Sequence, residues 1–252
     1  MNSIRLISRG DDAGSCESAD LAIMDACDHG ILRNVSIMVP GPSFAHAASL
    51  LANRSDLCLG LHVTLNAEWT DPRWGPVLPV AQVPSLVDAS GSFFPSPMDL
   101  HQRGFNSDQA MAEIEAQLRR ARDAGLNIRY LDEHMGVSWI GGLRPRLAEL
   151  ARREGLVDGE QFGQLPSAST AQRDWVEKFR SRLAIAKQGT CVLITHPGID
   201  REDMRRFQTP NHPPGLVARD RDLERQGLID PRLPEILREH HATLIQFTEA
   251  QP

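Results

Sequence analysis

Strand-like and helix-like runs alternate along nearly the whole chain, and that alternation restricts the fold more than any other feature. IRLIS (4–8) precedes a helical pattern over 18–29, NVSIMVP (34–40) precedes the Ala-rich FAHAASLLANR, and CLGLHVTL occupies 58–65. A helical pattern over 107–124, RYLDEH at 129–134 and a helical pattern over 143–155 follow. The last third offers LVDGEQF, a helical pattern near 172–187, CVLITHPG at 191–198, and a closing ATLIQF strand behind a Leu-rich helix. Glycines in DHGIL, DAGLN, REGLV and KQGTC sit where helices should stop, each before a new apolar run. Repeated βα units predict an α/β fold with a parallel sheet, and about seven of them favour a closed or nearly closed barrel.

The chain has 252 residues, 41% of them apolar, which suffices for one large core, so a single domain over 1–252 is expected. Two segments interrupt the alternation. Residues 66–106, rich in Pro, Gly and Ser with interleaved Trp and Phe, read as a long ordered excursion, and FQTPNHPPGLVARDRD at 207–222 reads as irregular. In barrels such loops tend to cover the active face. A net charge of −6 without a basic stripe gives no nucleic-acid partner, and no apolar run approaches membrane-spanning length. With no signal-peptide pattern at the start, a cytoplasmic location is the expectation. Cys16, Cys27, Cys58 and Cys191 form no CxxC pair, so reduced, mostly buried thiols are expected.

Polar groups collect at the ends of the predicted strands: Asp11 and Asp12, His62, Asp132 and His134, and His196. In a parallel barrel all strand C-termini point to one rim, so these distant residues converge. Two histidines and a carboxylate from different strands suit a divalent cation with open positions for water and substrate. One aspartate of the pair then binds the cation while its neighbour accepts a proton, and His196 donates one to a leaving group. Asp132, two residues before His134, points to the same side of an extended strand and suits an orienting carboxylate. Each residue also has an ordinary role: Asp11 and Asp12 as helix cap, His62 as a satisfied core histidine, His134 as a strand-end polar residue, His196-Pro197-Gly198 as turn chemistry. His101, His212, His240 and His241 read as surface residues.

GDDAGSCESAD, GLHVTLN, YLDEHMGV and THPG, in this order, resemble the YdjC-like carbohydrate deacetylases, the family that includes chitooligosaccharide deacetylase. The resemblance implies a deformed TIM-like (β/α) barrel and metal-dependent removal of an acetyl group from an N-acetylated sugar. Carried over by position, Asp11 is the base, Asp12, His62 and His134 are the ligands of one divalent metal, zinc or magnesium, and His196 is the acid. VARDRDL resembles an Arg-x-x-acid-Leu element, which would put Arg219 and Asp222 near the site. The chain departs from the family at Met135-Gly136-Val137, where further histidines usually follow Asp-x-His, and at Ala13-Gly14 and Cys16 in the first motif.

Trp69, Trp74, Phe93 and Phe94 either offer apolar faces to a sugar ring or pin the excursion to the barrel. Two other functions remain open at this stage: hydrolysis of a phosphoester or cyclic amide, for which Arg9, Arg219 and Arg221 are the cationic candidates, and sugar binding without turnover. A homodimer is expected from base rates and from the family.

Overall fold

The computed structural model describes residues 3–168 and 174–250. Its strands β1 (Ile4–Ala13), β2 (Asn34–Ile37), β3 (Cys58–Val63), β4 (Ile128–Glu133), β5 (Val157–Asp158), β6 (Gly189–Thr195) and β7 (Ala242–Ile245) pair in parallel, in the order β5-β4-β3-β2-β1-β6. β7 lies along the first half of β1, at Ile4–Ile7. The sheet curls into a deformed TIM-like barrel. Among the described residues its two edges meet at an isolated bridge between Gln164, past β5, and Val192 of β6, where Leu165 N–H donates to Val192 O at 2.8 Å. Around the sheet run α1 (Glu17–Asp28), α2 (Phe44–Leu51), α3 (Pro97–Arg103), α4 (Ser107–Asp123), α5 (Leu143–Glu154), α6 (Trp175–Ala184), α7 (Glu202–Arg205), α8 (Leu216–Leu228) and α9 (Leu233–Glu239).

Strand side chains alternate between two cores, as the period of two requires. Leu6, Leu59, Leu61, Leu131 and Leu193 join the helices in the large outer core, whereas Ile7, Cys58, Tyr130, Val192 and Ile245 form a small inner cluster with Phe247. Followed towards the strand C-termini, the inner face climbs from apolar to polar: Ile7-Arg9-Asp11, Cys58-Gly60-His62, Tyr130-Asp132-His134 and Val192-Ile194-His196. The sheet register aligns these rows, with Gly60 beside Tyr130 and His62 beside Asp132. Gly60 is required there, because a Cβ would lie 2.2 Å from the Tyr130 ring.

β1 extends beyond IRLIS to Ala13, so both aspartates belong to the strand. The irregular stretch expected over 207–222 ends early: after Pro213, Pro214 and Gly215 (φ +82°), helix α8 begins at Leu216. Part of the helical pattern near 172–187 lies outside the described residues; the helix observed starts at Trp175, capped by the Asp174 carboxylate on the Val176 and Glu177 amides. The long excursion connects β3 to α4. Glu113 of α4 anchors it by accepting from Val77 N–H and Leu78 N–H at 2.8 and 2.9 Å. Trp74 and Phe93 are buried and pin it, while Trp69 and Phe94 are only partly buried. All four cysteines are buried and unpaired. Among the described residues no helix is long and apolar enough to cross a membrane.

Candidate metal centre

The rim at the strand C-termini opens into a cavity of about 450 Å³ lined by Asp11, Asp12, His62, His134 and His196 together with Arg9, Glu68 and Arg221. In a regular strand, adjacent residues face opposite ways. Here the β1–β2 register slips between Gly10 and Ala13, and Asp12 adopts φ +67°, a left-handed conformation that Asp tolerates better than most residues. The irregularity lets both carboxylates reach the one cavity.

Two buried groups bring three potential ligand atoms within 4.8 Å of one another, Asp12, His62 and His134, and Asp11, His62 and Asp132, and in the second Arg9 already pairs with both carboxylates. Asp12 Oδ1 lies 3.2 Å from His134 Nδ1 and 3.6 Å from His62 Nε2, and the two nitrogens are 3.3 Å apart. All three residues are buried, yet Asp12 Oδ1 has no hydrogen-bond partner. The outer nitrogen of each imidazole faces a carboxylate: His62 Nδ1 is 2.9 Å from Asp132 Oδ2, and His134 Nε2 is 2.9 Å from Glu68 Oε2. Those acceptors favour the tautomers whose inner nitrogens carry lone pairs, aimed where Asp12 aims its unpartnered oxygen. Such a donor set fits a divalent cation.

Arg9, buried in the row below, ties the carboxylates together. It donates to both oxygens of Asp11 at 2.6 and 2.7 Å and lies 3.0 Å from Asp132. Burial opposes its charge, but Asp11 and Asp132 hold its proton more firmly than usual. Asp12 accepts from Arg221 at 2.8 Å through its other oxygen. Although burial disfavours its charge, Arg221 and the two histidines hold its carboxyl well below the usual carboxylate range. The histidines show the converse. Burial disfavours their cations, but Asp132 and Asp11 raise His62 well above the ordinary range, and Glu68 and Asp12 raise His134 to about 9.

His196 reaches the cavity from the end of β6, half-buried, with its backbone N–H donating to Glu224 Oε2 at 2.7 Å. Arg219 and Asp222 are not brought to the site. Arg219 is exposed on α8, and Asp222 pairs instead with Arg225 at 2.9 Å. The helix turns Arg221 inward between them. Met135 and Gly136, both with positive φ, occupy the rim after His134, and Met135 is half exposed. The sequence pattern does not single out two residues of the site, Glu68 as the partner of His134 and Glu224 as the anchor of His196. Neither carries a periodic signal: Glu68 lies in the excursion and Glu224 on a largely polar helix. A larger cleft of about 570 Å³, at Cys16, Asp71, Arg73 and Arg206, shares no lining residue with this cavity, and its arginines are paired with Asp88 and Asp71.

The family model for YdjC-like proteins matches residues 5–239. This chain belongs to the YdjC-like family. It is 25% identical over 260 residues to a carbohydrate deacetylase of Thermoanaerobacter pseudethanolicus, covering 96% of this chain and 98% of that one. A chitooligosaccharide deacetylase of an Enterobacter species is 28% identical over 154 residues, covering 60% of this YdjC-like chain and 57% of its own length. The same fold occurs in a solved protein of Enterococcus faecalis, described as a candidate for cellobiose-phosphate cleavage. It matches with a TM-score of 0.78 at 19% identity over 99% of both chains.

Proposed function

We propose that this protein is a divalent-metal-dependent hydrolase that removes the acetyl group from an N-acetylated sugar. The observation that carries the reading is the unpartnered, buried Asp12 Oδ1 facing the inner nitrogens of His62 and His134, with Asp11 and His196 on the same cavity wall. Its substrate class comes from full-length relatives named carbohydrate deacetylase.

Asp12, His62 and His134 would hold the cation. When bound, a divalent cation would supply Lewis-acid polarisation of an amide carbonyl and make water far more acidic, towards a pKa of ~7. Asp11, fixed by the Arg9 fork, accepts the proton of the attacking water. As the C–N bond breaks, His196 gives a proton to the departing nitrogen, so acetate and an amino sugar leave. Asp132 accepts at Nδ1 of His62 and keeps that imidazole in the ligating tautomer. Phosphoester chemistry is less well served, because Arg9 is held by Asp11 and Asp132, and Arg221 by Asp12.

Acetate release from N-acetylglucosamine and its short oligomers, measured on chelator-stripped protein before and after adding Zn²⁺ or Mg²⁺, tests the reading. Release that depends on the metal supports it. A metal-loaded protein that binds these sugars and releases no acetate overturns it in favour of a sugar-binding barrel.

A further inference from the structure

The two histidines are supported from behind in different ways. The carboxylate behind His62 is Asp132, its register neighbour on β4, so its place is set by the sheet itself. The carboxylate behind His134 is Glu68, which belongs to no strand or helix and lies at the root of the excursion. Its surroundings tie it to that segment. Asn66 Nδ2 approaches Glu68 Oε2 at 3.4 Å, the Asn66 carbonyl accepts from Trp74 Nε1 at 2.7 Å, and the Trp74 ring stands edge-on to His134 with centroids 6.2 Å apart. The flanking amides are also engaged, Ala67 N–H with Phe94 O at 2.9 Å and Thr70 N–H with Gln208 O at 2.8 Å.

We propose that Glu68 is a positioning residue for His134, and that through this contact metal binding and the order of the excursion's root are coupled. The inference rests on the reading of Asp12, His62 and His134 as the metal ligands. A neutral imidazole carries one N–H, and ligation through Nδ1 requires that proton on Nε2. Glu68 accepts at Nε2, across the ring from Asp12 and His62, so it selects the ligating tautomer without entering the cluster. Any cation that fixes His134 thereby also fixes Glu68, and with it the backbone from Asn66 to Thr70.

Zinc affinity, measured by competition with a chromophoric chelator, and amide hydrogen exchange at Ala67 and Thr70 with and without zinc test the proposal in wild type, Glu68→Ala and Glu68→Gln. Removing an orienting acceptor typically weakens metal affinity 10–100-fold. The expected result is a loss of that size in Glu68→Ala, largely recovered in Glu68→Gln, whose amide oxygen still accepts. Zinc should slow exchange at the two amides in wild type but not in saturated Glu68→Ala. Unchanged affinity in Glu68→Ala, or an unchanged zinc effect on exchange, overturns the proposal. So does a loss in Glu68→Gln as deep as in Glu68→Ala, which makes Glu68 a charge donor to the ion. If wild type itself binds no zinc, magnesium, manganese or cobalt, the proposed function falls as well, an outcome distinct from a wild type that binds and a variant that matches it.

Discussion

Asp11 and Asp12 are neighbours to which the proposed function gives opposite duties, and their partners separate them. Asp11 has both oxygens on Arg9, whereas Asp12 offers one to Arg221 and leaves the other unpartnered between two imidazole nitrogens. Asp11→Asn should therefore lower acetate release at least ~10²-fold, the usual contribution of a general base, while metal affinity measured by calorimetry stays near wild type. Asp12→Asn should instead lose metal affinity. The pH dependence follows from His134. In the metal-free protein its pKa is raised from 6.5 to about 9, so its protonated form adds stability fully present below 6.5 and lost as pH rises through about 9. Metal binding must displace that proton, so affinity should rise over the same window. Chelator competition from pH 6 to pH 9 checks the sign; an affinity that falls with pH contradicts it.

At the scale of the element, each strand carries its own gradient from core to chemistry. The apolar starts of the inner faces, Ile7, Cys58, Tyr130 and Val192, and their polar ends, Asp11, His62, His134 and His196, are consequences of the period of two within each strand, which is why strand-end residues were legible in the sequence. What periodicity does not encode was not legible. The β1 irregularity that turns Asp12 inward depends on register with β2, and the inward turn of Arg221 rather than Arg219 depends on how α8 packs. Glu68 comes from a segment without period, so its partner is visible only in three dimensions. The inner face also leaves no room for error at its narrowest row. Gly60→Ala would press a methyl into the Tyr130 ring and should destabilise the fold by ~1–3 kcal/mol, read from a shifted urea midpoint at unchanged slope. An unchanged midpoint would mean that the ring can move aside.

Across the whole molecule, the barrel is a frame that gathers β1, β3, β4 and β6 at one rim while its seam is left thin. The alternation of runs was enough to read the parallel architecture, but the seam, a bridge at Gln164–Val192 in place of a full ladder, follows from a β5 of only two residues. Such a frame would gain from the proposed cation, which would tie β1 and β3 to the segment that follows β4. At a free metal concentration of 100 times Kd the stabilisation is ~2.7 kcal/mol, equivalent to a rise in Tm of roughly 5–10 °C for a chain of this size. Differential scanning calorimetry with and without a chelator measures it, and identical melting in both contradicts the proposed site. The most direct measurement is anomalous diffraction from crystals grown with zinc. One strong peak is expected within bonding distance, ~2 Å, of Asp12 Oδ1, His62 Nε2 and His134 Nδ1. A zinc-saturated protein whose anomalous density lies elsewhere, with that cluster empty, would contradict it.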